Sequence, residues 1–313
     1  MKFRHILFLV FAILLSACKV QYSIANESVA SVLDFGADPT GKKDASNAFQ
    51  KAINSNVSRV MVPKGRYLIN QTVEISSYLF LEAGVHIIRT EQEVRGPIFW
   101  LNKSKAVLEG AHRGVIIESY KTSSEGLIKI GHGSDTKNKG NILYCSLKNL
   151  TLKGNGEDQS KGVLLYNSQE KGDPNTASYF HNIQNLIIEY VGTGIHLLRM
   201  SNANSINQIY FNRVGRGKQS EAVLIEGAME NRIHDCFHHF SPNAVTIRML
   251  SYDNLYPMYN YIYGVVAEQG GEEAVCLDVE SGLHNIIEVN CNAVKGNKIF
   301  KEFYNQKNSL IAK

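Results

Sequence analysis

Short runs of alternating apolar and polar residues recur along most of the chain, and each run begins with Gly or Ala. Steps of 22 to 36 residues separate successive runs. A period of two predicts strands that each bury one face. The runs are GLIKI at Gly126, GVLLY at Gly162, GIHLL at Gly194, AVLIE at Ala222, AVTIR at Ala244 and AVCLD at Ala274.

A second pattern lies between these runs, in which an Asn precedes an apolar strand-like segment. Each unit therefore holds at least two short strands, and it is too short to bury its own apolar face. Stacked units bury that face when each strand pairs in parallel with the same strand of the next coil. Asn at the corners tolerates left-handed backbone and can hydrogen-bond along a stack of its own kind. The pattern occurs at Asn149, Asn185, Asn207, Asn231, Asn260 and Asn285.

These two patterns predict an all-β fold, a right-handed single-stranded parallel β-helix, since connections between parallel strands are nearly always right-handed. A β-sandwich also has many short strands. It would need tight hairpins, and no two-residue Asn-Gly or Asp-Gly turn joins two apolar runs. The β-helix is therefore the favoured architecture.

The segment VLDFGADPTGKKDASNAFQKAI, residues 32–53, combines polar turns with an amphipathic helix. Asp44 is placed to be its N-cap. Because a solenoid has open ends that invite aggregation, we expect this helix to cover the first coil. Its apolar face comprises Ala45, Ala48, Phe49, Ala52 and Ile53.

This segment, together with VMVPKGRYLI and LFLEAG, resembles the N-terminal module of the pectate-lyase-3 superfamily. The resemblance covers Val32 to Gly84 closely, and the Asn-rich coils extend it to about Asn297. It implies a β-helix related to polysaccharide lyases, glycoside hydrolases, epimerase-like proteins and phage tail-spikes. Its Asp positions, Asp34, Asp38 and Asp44, build the cap and turns, and fold alone does not fix the reaction.

The first residues have the order of a secretory signal: Lys2 and Arg4, an apolar run from Ile6 to Leu15, then Ser16, Ala17 and Cys18. Leu-Ser-Ala-Cys resembles a bacterial lipobox. It implies cleavage before Cys18, lipidation of Cys18, and a place at the outer membrane, the cell surface or in the periplasm. An ordinary signal peptide is the alternative. We expect a signal at 1–17, a linker at 18–30 and the β-helix at 31–313.

Charge and cysteine content narrow the classes of partner. The whole chain carries a net charge of +4, and loss of Lys2 and Arg4 leaves 31 basic against 29 acidic residues. A balance so close to neutral argues against a nucleic-acid surface. The remaining cysteines are irregularly spaced, so we expect buried free thiols rather than a disulfide framework. They are Cys145, Cys236, Cys276 and Cys291.

Aligning the Gly and Ala starts predicts which side chains face outward. The second and fourth residues after each start should do so, which places Glu226, Arg248 and Asp278 in one row, with His196 one coil below. Two carboxylates two coils apart suit an inverting glycosidase, and Arg248 could instead neutralise a uronate. A simple salt-bridge ladder is the alternative. The fourth positions are Ile130, Tyr166, Leu198, Glu226, Arg248 and Asp278.

Three other segments hold candidate chemistry. Tyr252, Tyr256 and Tyr259 could stack on sugar rings. In NRIHDCFHHF, strand alternation would pair His234 with His238 or Asp235 with His239, but the spacing fits no zinc motif. Gly-His-Gly at His132 resembles a polygalacturonase element, whose partner elements are absent here.

No cofactor is indicated by any motif, although calcium stays open. The acidic residues that lie close enough in sequence to suggest it are Glu272, Glu273, Asp278 and Glu280.

Two functions remain open at this point. The first is a lipid-anchored enzyme that cleaves a polysaccharide as a lyase or glycoside hydrolase. The second is a noncatalytic glycan-binding or structural surface lipoprotein related to phage tail-spikes, which the absence of familiar catalytic motifs favours. The oligomeric state is not indicated.

Overall fold

The computed structural model describes residues 28–91, 96–133, 140–168, 177–215, 220–241, 244–268, 274–292, 297–299 and 301–312. All strand pairings between named strands are parallel, and each strand pairs with strands of the neighbouring coils. The predicted parallel β-helix is therefore confirmed.

Within the described ranges, one sheet has fifteen strands. In the first coils it consists of two separate columns. The first column is β1 (Val29–Ser31), β3 (Arg59–Val62), β6 (Tyr78–Leu81) and β9 (Val107–Gly110), and the second is β2 (Thr40–Asp44), β4 (Gly65–Leu68), β7 (Val85–Arg89) and β10 (Ile116–Ser119).

Later coils merge these two columns into single long strands. The first of these long strands, Ser146–Lys153, pairs with β9 through its first half and with β10 through its second half. These strands are β13 (Ser146–Lys153), β16 (Asn182–Glu189), β18 (Ser205–Asn212), β20 (Arg232–His239), β22 (Tyr261–Glu268), β24 (Ile286–Asn292) and β26 (Ser309–Ala312).

The second sheet, which has nine strands in the part of the chain that the structure describes, carries the candidate site. A two-stranded sheet, β12 (Ile142–Leu143) with β15 (Ser178–Tyr179), completes the strands. The nine strands are β5 (Val73–Ile75), β8 (Phe99–Leu101), β11 (Ile128–Gly131), β14 (Lys161–Tyr166), β17 (Thr193–Leu198), β19 (Glu221–Glu226), β21 (Val245–Leu250), β23 (Val275–Val279) and β25 (Asn297–Ile299).

Each of five successive long strands bends at one residue with a positive φ. Asn149 and Asn185 occupy this position in β13 and β16, where Asn185 Nδ2 donates to Asn149 Oδ1 at 2.7 Å. Asn and Gly accept left-handed backbone most readily. The bend makes two consecutive side chains point outward, so strand alternation changes phase there. The full set is Asn149, Asn185, Gln208, Asp235 and Gly264, with φ between 54° and 62°.

A second ladder of asparagines is buried at another corner. Each Nδ2 donates to the Oδ1 of the next coil at 2.9–3.0 Å, and each Oδ1 also accepts a backbone N–H of the preceding coil. The predicted stacking of Asn is confirmed, but in two separate ladders: Asn185 stacks on Asn149 at the strand bends, and Asn231, Asn260 and Asn285 stack here. Asn207 pairs with His234 instead, and Asn204 takes its place. The ladder comprises Asn204, Asn231, Asn260, Asn285 and Asn308.

The helix α1 spans Ser46–Ile53 and buries the predicted apolar face. Phe49 is fully buried, and its ring lies 5.4 Å from that of Tyr67 and 6.3 Å from that of Phe99. The predicted N-cap is wrong by one residue, since Ala45 occupies that position. Asp44 Oδ1 still accepts the backbone N–H of Ser46 at 3.0 Å, so its carboxylate serves the first turn.

The other two N-terminal aspartates also serve the backbone. Before α1, a 3₁₀ turn at Val32–Phe35 has a capping box in which Ser31 and Asp34 exchange hydrogen bonds. Asp38 accepts from Thr40, Lys42 and Lys43 backbone N–H groups, and these bonds, led by that of Thr40, lower the pKa of Asp38 to about 2. Both carboxylates therefore stabilise turns.

The expectation of four free thiols is half right. Cys276 and Cys291 form a disulfide, which the spacing of 15 residues did not indicate. The disulfide forms because β23 of the nine-stranded sheet and β24 of the fifteen-stranded sheet bring the two cysteine side chains together. Cys145 and Cys236 are free and buried, and burial raises the pKa of each thiol to about 12.

Candidate functional site

The outward face of the nine-stranded sheet carries one row of paired positions along the helix axis. His196 is opposite Leu224, Leu224 is opposite Arg248, and Arg248 is opposite Asp278. The complete row reads Glu74, Trp100, Lys129, Leu164, His196, Leu224, Arg248, Asp278 and Lys298.

The predicted row is therefore wrong at Glu226, which pairs with Leu198 and Leu250 in the neighbouring row. Glu221 pairs with Val245, a step of 24 residues, whereas the two alanine starts are 22 residues apart. The coil defined by backbone hydrogen bonds is thus two residues longer than the coil that the alignment of the two alanine starts assumes. Glu226 is displaced by that amount along its strand.

Arg248 joins two carboxylates on neighbouring strands. Its Nη1 is 2.6 Å from Glu221 Oε1, and its Nη2 is 3.3 Å from Asp278 Oδ2. The other Glu221 oxygen accepts from Thr193 Oγ1 at 3.0 Å. Burial raises the pKa of Glu221 to about 6, although the positive charge of Arg248 acts in the opposite direction.

His196 and Glu226 form a second pair, with His196 Nε2 2.8 Å from Glu226 Oε2. The imidazole is buried, whereas the Glu226 side chain retains 24% of its exposure. Burial lowers the pKa of His196, and the bond to Glu226 opposes that effect. His196 Nδ1 is buried and has no hydrogen-bond partner among the described residues.

Two lysines complete this face, and sequence reasoning missed both. Lys161 Nζ donates to Ser124 O at 2.9 Å. Burial lowers the pKa of Lys161, against the attraction of the Glu226, Glu125 and Glu221 carboxylates.

Lys129 lies 2.8 Å from Glu125 and 5.5 Å from the ring centroids of both Trp100 and Tyr166. The run starting at Gly126 aligns one residue out of phase with the run at Gly162, because Ile128 pairs with Val163. Ile130 is consequently in the core, and Lys129 takes the outward position. The one signal for it was the single charged residue in GLIKI.

The three candidate tyrosines have different surroundings. Tyr252 lies near Glu226, since its Cβ packs against Gly227. Tyr256 lines a separate cavity of about 450 Å³ with Glu280, Glu302 and Gln306. Tyr259 is exposed and stacks on His284, with ring centroids 5.0 Å apart.

The histidines of NRIHDCFHHF do not pair as alternation predicted. Asp235 has a φ of 54°, and this bend puts His234 and Asp235 together on the outside, 2.9 Å apart. His238 turns into the core, where burial lowers its pKa to about 3, and His239 contacts Glu268. Both predicted convergences, His234 with His238 and Asp235 with His239, are therefore wrong.

Among the residues that the structure describes, no group of three or more His, Cys, Asp or Glu side chains could hold a metal ion. Glu272, Glu273 and Cys18 lie outside the described residues. No helix in the described ranges is long and apolar enough to cross a membrane.

The first part of this chain resembles a known protein family. Residues 29–163 match the family model of rhamnogalacturonase A/epimerase, pectate lyase-like. The matched part is less than half of the chain, and it extends past the N-terminal module into β14. No curated protein matches this chain.

Solved structures similar to this chain include proteins of two viruses and one bacterium. The enzymatically active domain of bacteriophage CBA120 tailspike protein 2 has a TM-score of 0.58 at 11% identity, covering 92% of this chain and 43% of that one. ORF18 of Geobacillus virus E2 has a TM-score of 0.41 at 14% identity, covering 85% and 57%. This chain therefore spans about half the length of these two proteins.

A family 28 exopolygalacturonase of Yersinia enterocolitica has a TM-score of 0.43 at 11% identity, covering 88% of this chain and 76% of that one. At such identities the likeness concerns the fold. The chain thus has a parallel β-helix fold, and its residues 29–163 are similar to a pectate lyase-like family.

Proposed function

We propose that this chain is an exported, carbohydrate-active protein that binds a polysaccharide along the outward face of the nine-stranded sheet and hydrolyses it there. The His196–Glu226 pair carries this proposal. It offers a partly exposed carboxylate bonded to a buried imidazole whose other nitrogen has no partner among the described residues. Orphaned buried polar atoms and shifted pKa values concentrate at functional sites.

Glu226 and Asp278 are the proposed pair of hydrolytic carboxylates. Asp278 is held by Arg248 and acts as the base that activates water, while Glu226 is hydrogen-bonded to His196 and acts as the acid. They lie two strands and two residues apart, which is ~12 Å between backbones at the usual strand spacing. Side chains leaning towards each other from that distance leave room for a water, as inversion of configuration requires.

Lyase chemistry is less well supported by the same contacts. A lyase must neutralise the carboxylate of a uronate, and Arg248 is the cation proposed for that task. Its guanidinium already faces Glu221 and Asp278, so its charge is offset by protein carboxylates. Hydrolysis needs no free cation, and it is therefore the preferred reaction.

The decisive experiment mixes the mature chain with a panel of neutral and uronate-containing polysaccharides. A reducing-sugar assay follows hydrolysis, and ultraviolet absorbance of unsaturated uronate follows elimination. Reducing ends without absorbance, lost in Glu226→Gln and Asp278→Asn but kept in Glu288→Gln on the other sheet, would support the proposal. A rise in absorbance, or full activity in Glu226→Gln, would reject it.

A noncatalytic glycan-binding role is the second candidate, and the burial of the charges favours it. The side chains of Glu221, His196 and Arg248 retain 4%, 6% and 13% of their exposure, and each is paired. Such a network can simply hold the coils in register. Glycan bound on an array but left intact by the same protein would support this role over hydrolysis.

Export and lipid anchoring are part of the proposal. The Cys276–Cys291 disulfide supports an oxidising compartment outside the cytoplasm. Lipidation at Cys18 would follow from the lipobox resemblance of Leu-Ser-Ala-Cys. Mass spectrometry of the mature N-terminus in the bacterial host tests it: an unlipidated Cys18, or a different cleavage site, would exclude the anchor.

A further inference from the structure

A cavity of about 580 Å³ lies at the N-terminal end of the same outward face, apart from the charged cluster. Ligand sites in proteins usually have volumes of roughly 300–1,000 Å³ and combine an aromatic wall with a few placed polar groups. This cavity has both. Its lining includes Glu74, Trp100, Asn102, Lys103, His132 and Asn141.

Trp100 supplies the aromatic wall and is held in a fixed orientation. Its Nε1 donates to Gly131 O at 2.8 Å, and Lys129 Nζ lies over the ring at 5.5 Å from the centroid. An indole presents a flat apolar surface suited to the C–H face of a sugar ring. Trp100 is also the single tryptophan in the sequence.

The polar groups are fixed by the rest of the fold. Asn102 Nδ2 donates to Glu74 Oε2 at 2.7 Å, so each of these side chains restrains the other. The backbone of Glu74 is held by Gln50 of α1, whose amide accepts from Glu74 N at 2.8 Å and donates to Glu74 O at 3.2 Å. The capping helix therefore helps to shape the cavity as well as to cover the core.

His132 is another fixed part of the lining. It is 2% exposed, its Nδ1 lies 3.2 Å from Asn167 Oδ1, and its Nε2 lies 2.9 Å from Gly140 O. With Trp100 and Glu74 also restrained, the cavity is preorganised, which lowers the entropic cost of binding.

We propose that this cavity binds one neutral pyranose ring of a polysaccharide, stacked on Trp100 and hydrogen-bonded to Glu74 and Asn102. Among the described lining residues, Glu74 and Lys103 carry opposite charges, so the cavity has no excess of positive charge to attract a uronate. Trp100 lies three strands from His196 along the row, or ~14 Å at the usual strand spacing. The polymer class rests on the proposed function, whereas the binding itself does not.

Trp100 fluorescence tests this directly, because no other tryptophan contributes emission. The mature chain is titrated with neutral hexasaccharides of glucose, mannose and galactose, and with hexagalacturonate as the charged comparison. We expect a saturable emission change with a neutral hexasaccharide. Asn102→Ala should weaken that binding roughly tenfold, because a hydrogen bond near a carboxylate is lost. Glu288→Gln is the matched surface control and should bind as the parent does.

Several outcomes would overturn the inference: no saturable change with any neutral hexasaccharide, a response to hexagalacturonate alone, or undiminished affinity in Asn102→Ala. Circular dichroism of each variant checks that it folds. Glu226→Gln should keep the fluorescence response even where it abolishes cleavage. Saturable binding by a parent protein that cleaves nothing would support this inference and reject the proposed hydrolysis.

Discussion

Glu221 and Arg248 form an ion pair across two neighbouring strands, with Oε1 and Nη1 2.6 Å apart and both side chains largely withdrawn from water. The carboxylate belongs to β19 and the guanidinium to β21, so this pair links successive coils. Its burial also makes Glu221 the carboxyl group of the site whose pKa is raised, to about 6. This shift has a measurable effect on stability.

Glu221→Gln should change the pH dependence of stability. A carboxyl whose pKa is raised in the folded state stabilises the fold below its unfolded pKa of 4.5, and this contribution is lost as pH rises through 6. The effect amounts to about 2 kcal/mol. Relative to the parent, the variant should therefore gain about that much between pH 4.5 and pH 7, measured by urea unfolding. If the stability of the variant relative to the parent were the same at pH 4.5 and at pH 7, the result would contradict the burial of Glu221.

Asn260→Ala should be strongly destabilising. Asn260 Oδ1 accepts from the backbone N–H and the Nδ2 of Asn231, and its Nδ2 donates to Asn285. Removing it leaves several buried polar groups unpaired, at a cost of roughly 3 kcal/mol or more in the free energy of unfolding. Asn207→Ala is the control, since Asn207 lies outside the ladder, and should cost less than about 0.5 kcal/mol. Equal effects of the two substitutions would refute the ladder.

Replacing both disulfide cysteines, as Cys276→Ser with Cys291→Ser, should lower stability by about 3 kcal/mol, because the bond closes a loop of 15 residues. Thiol titration provides a separate measurement. In a protein that starts after Cys18, the native fold should react at neither Cys145 nor Cys236, and denaturation without reductant should expose both. Four reactive thiols in that denatured sample would show that the disulfide does not form.

Glu226→Gln should lower the turnover number by roughly 10²–10⁴, the usual contribution of a general acid or base. The amide keeps a hydrogen bond to His196 but cannot transfer a proton, so KM should change little. His196→Gln should shift the alkaline limb of the pH–rate profile instead, because the imidazole is hydrogen-bonded to the carboxyl group proposed as the acid. Loss of substrate affinity without loss of turnover in Glu226→Gln would assign it to binding.

The periodicity of the sequence was enough to determine the architecture. Alternating apolar runs, Asn-bearing corners and the amphipathic face of Ala45 to Ile53 depend on local spacing, and the structure confirms each of them. Asn231, Asn260 and Asn285 stack as predicted because every coil repeats the same corner. Such features can be predicted from sequence because the pattern repeats, so a correct prediction for one coil also holds for the next.

The composition of the site depended on tertiary structure. Glu226 left its predicted row, Lys129 entered the outward face and Glu221 became the partner of Arg248, because hydrogen bonds between coils set the register and the Gly and Ala starts do not. A shift of one or two residues has no signature in a period-two pattern, yet it changes which charges meet. Cys276 and Cys291 likewise met only because two sheets close around one core. The sequence by itself determined the coil, and the stacking of coils decided which side chains share a site.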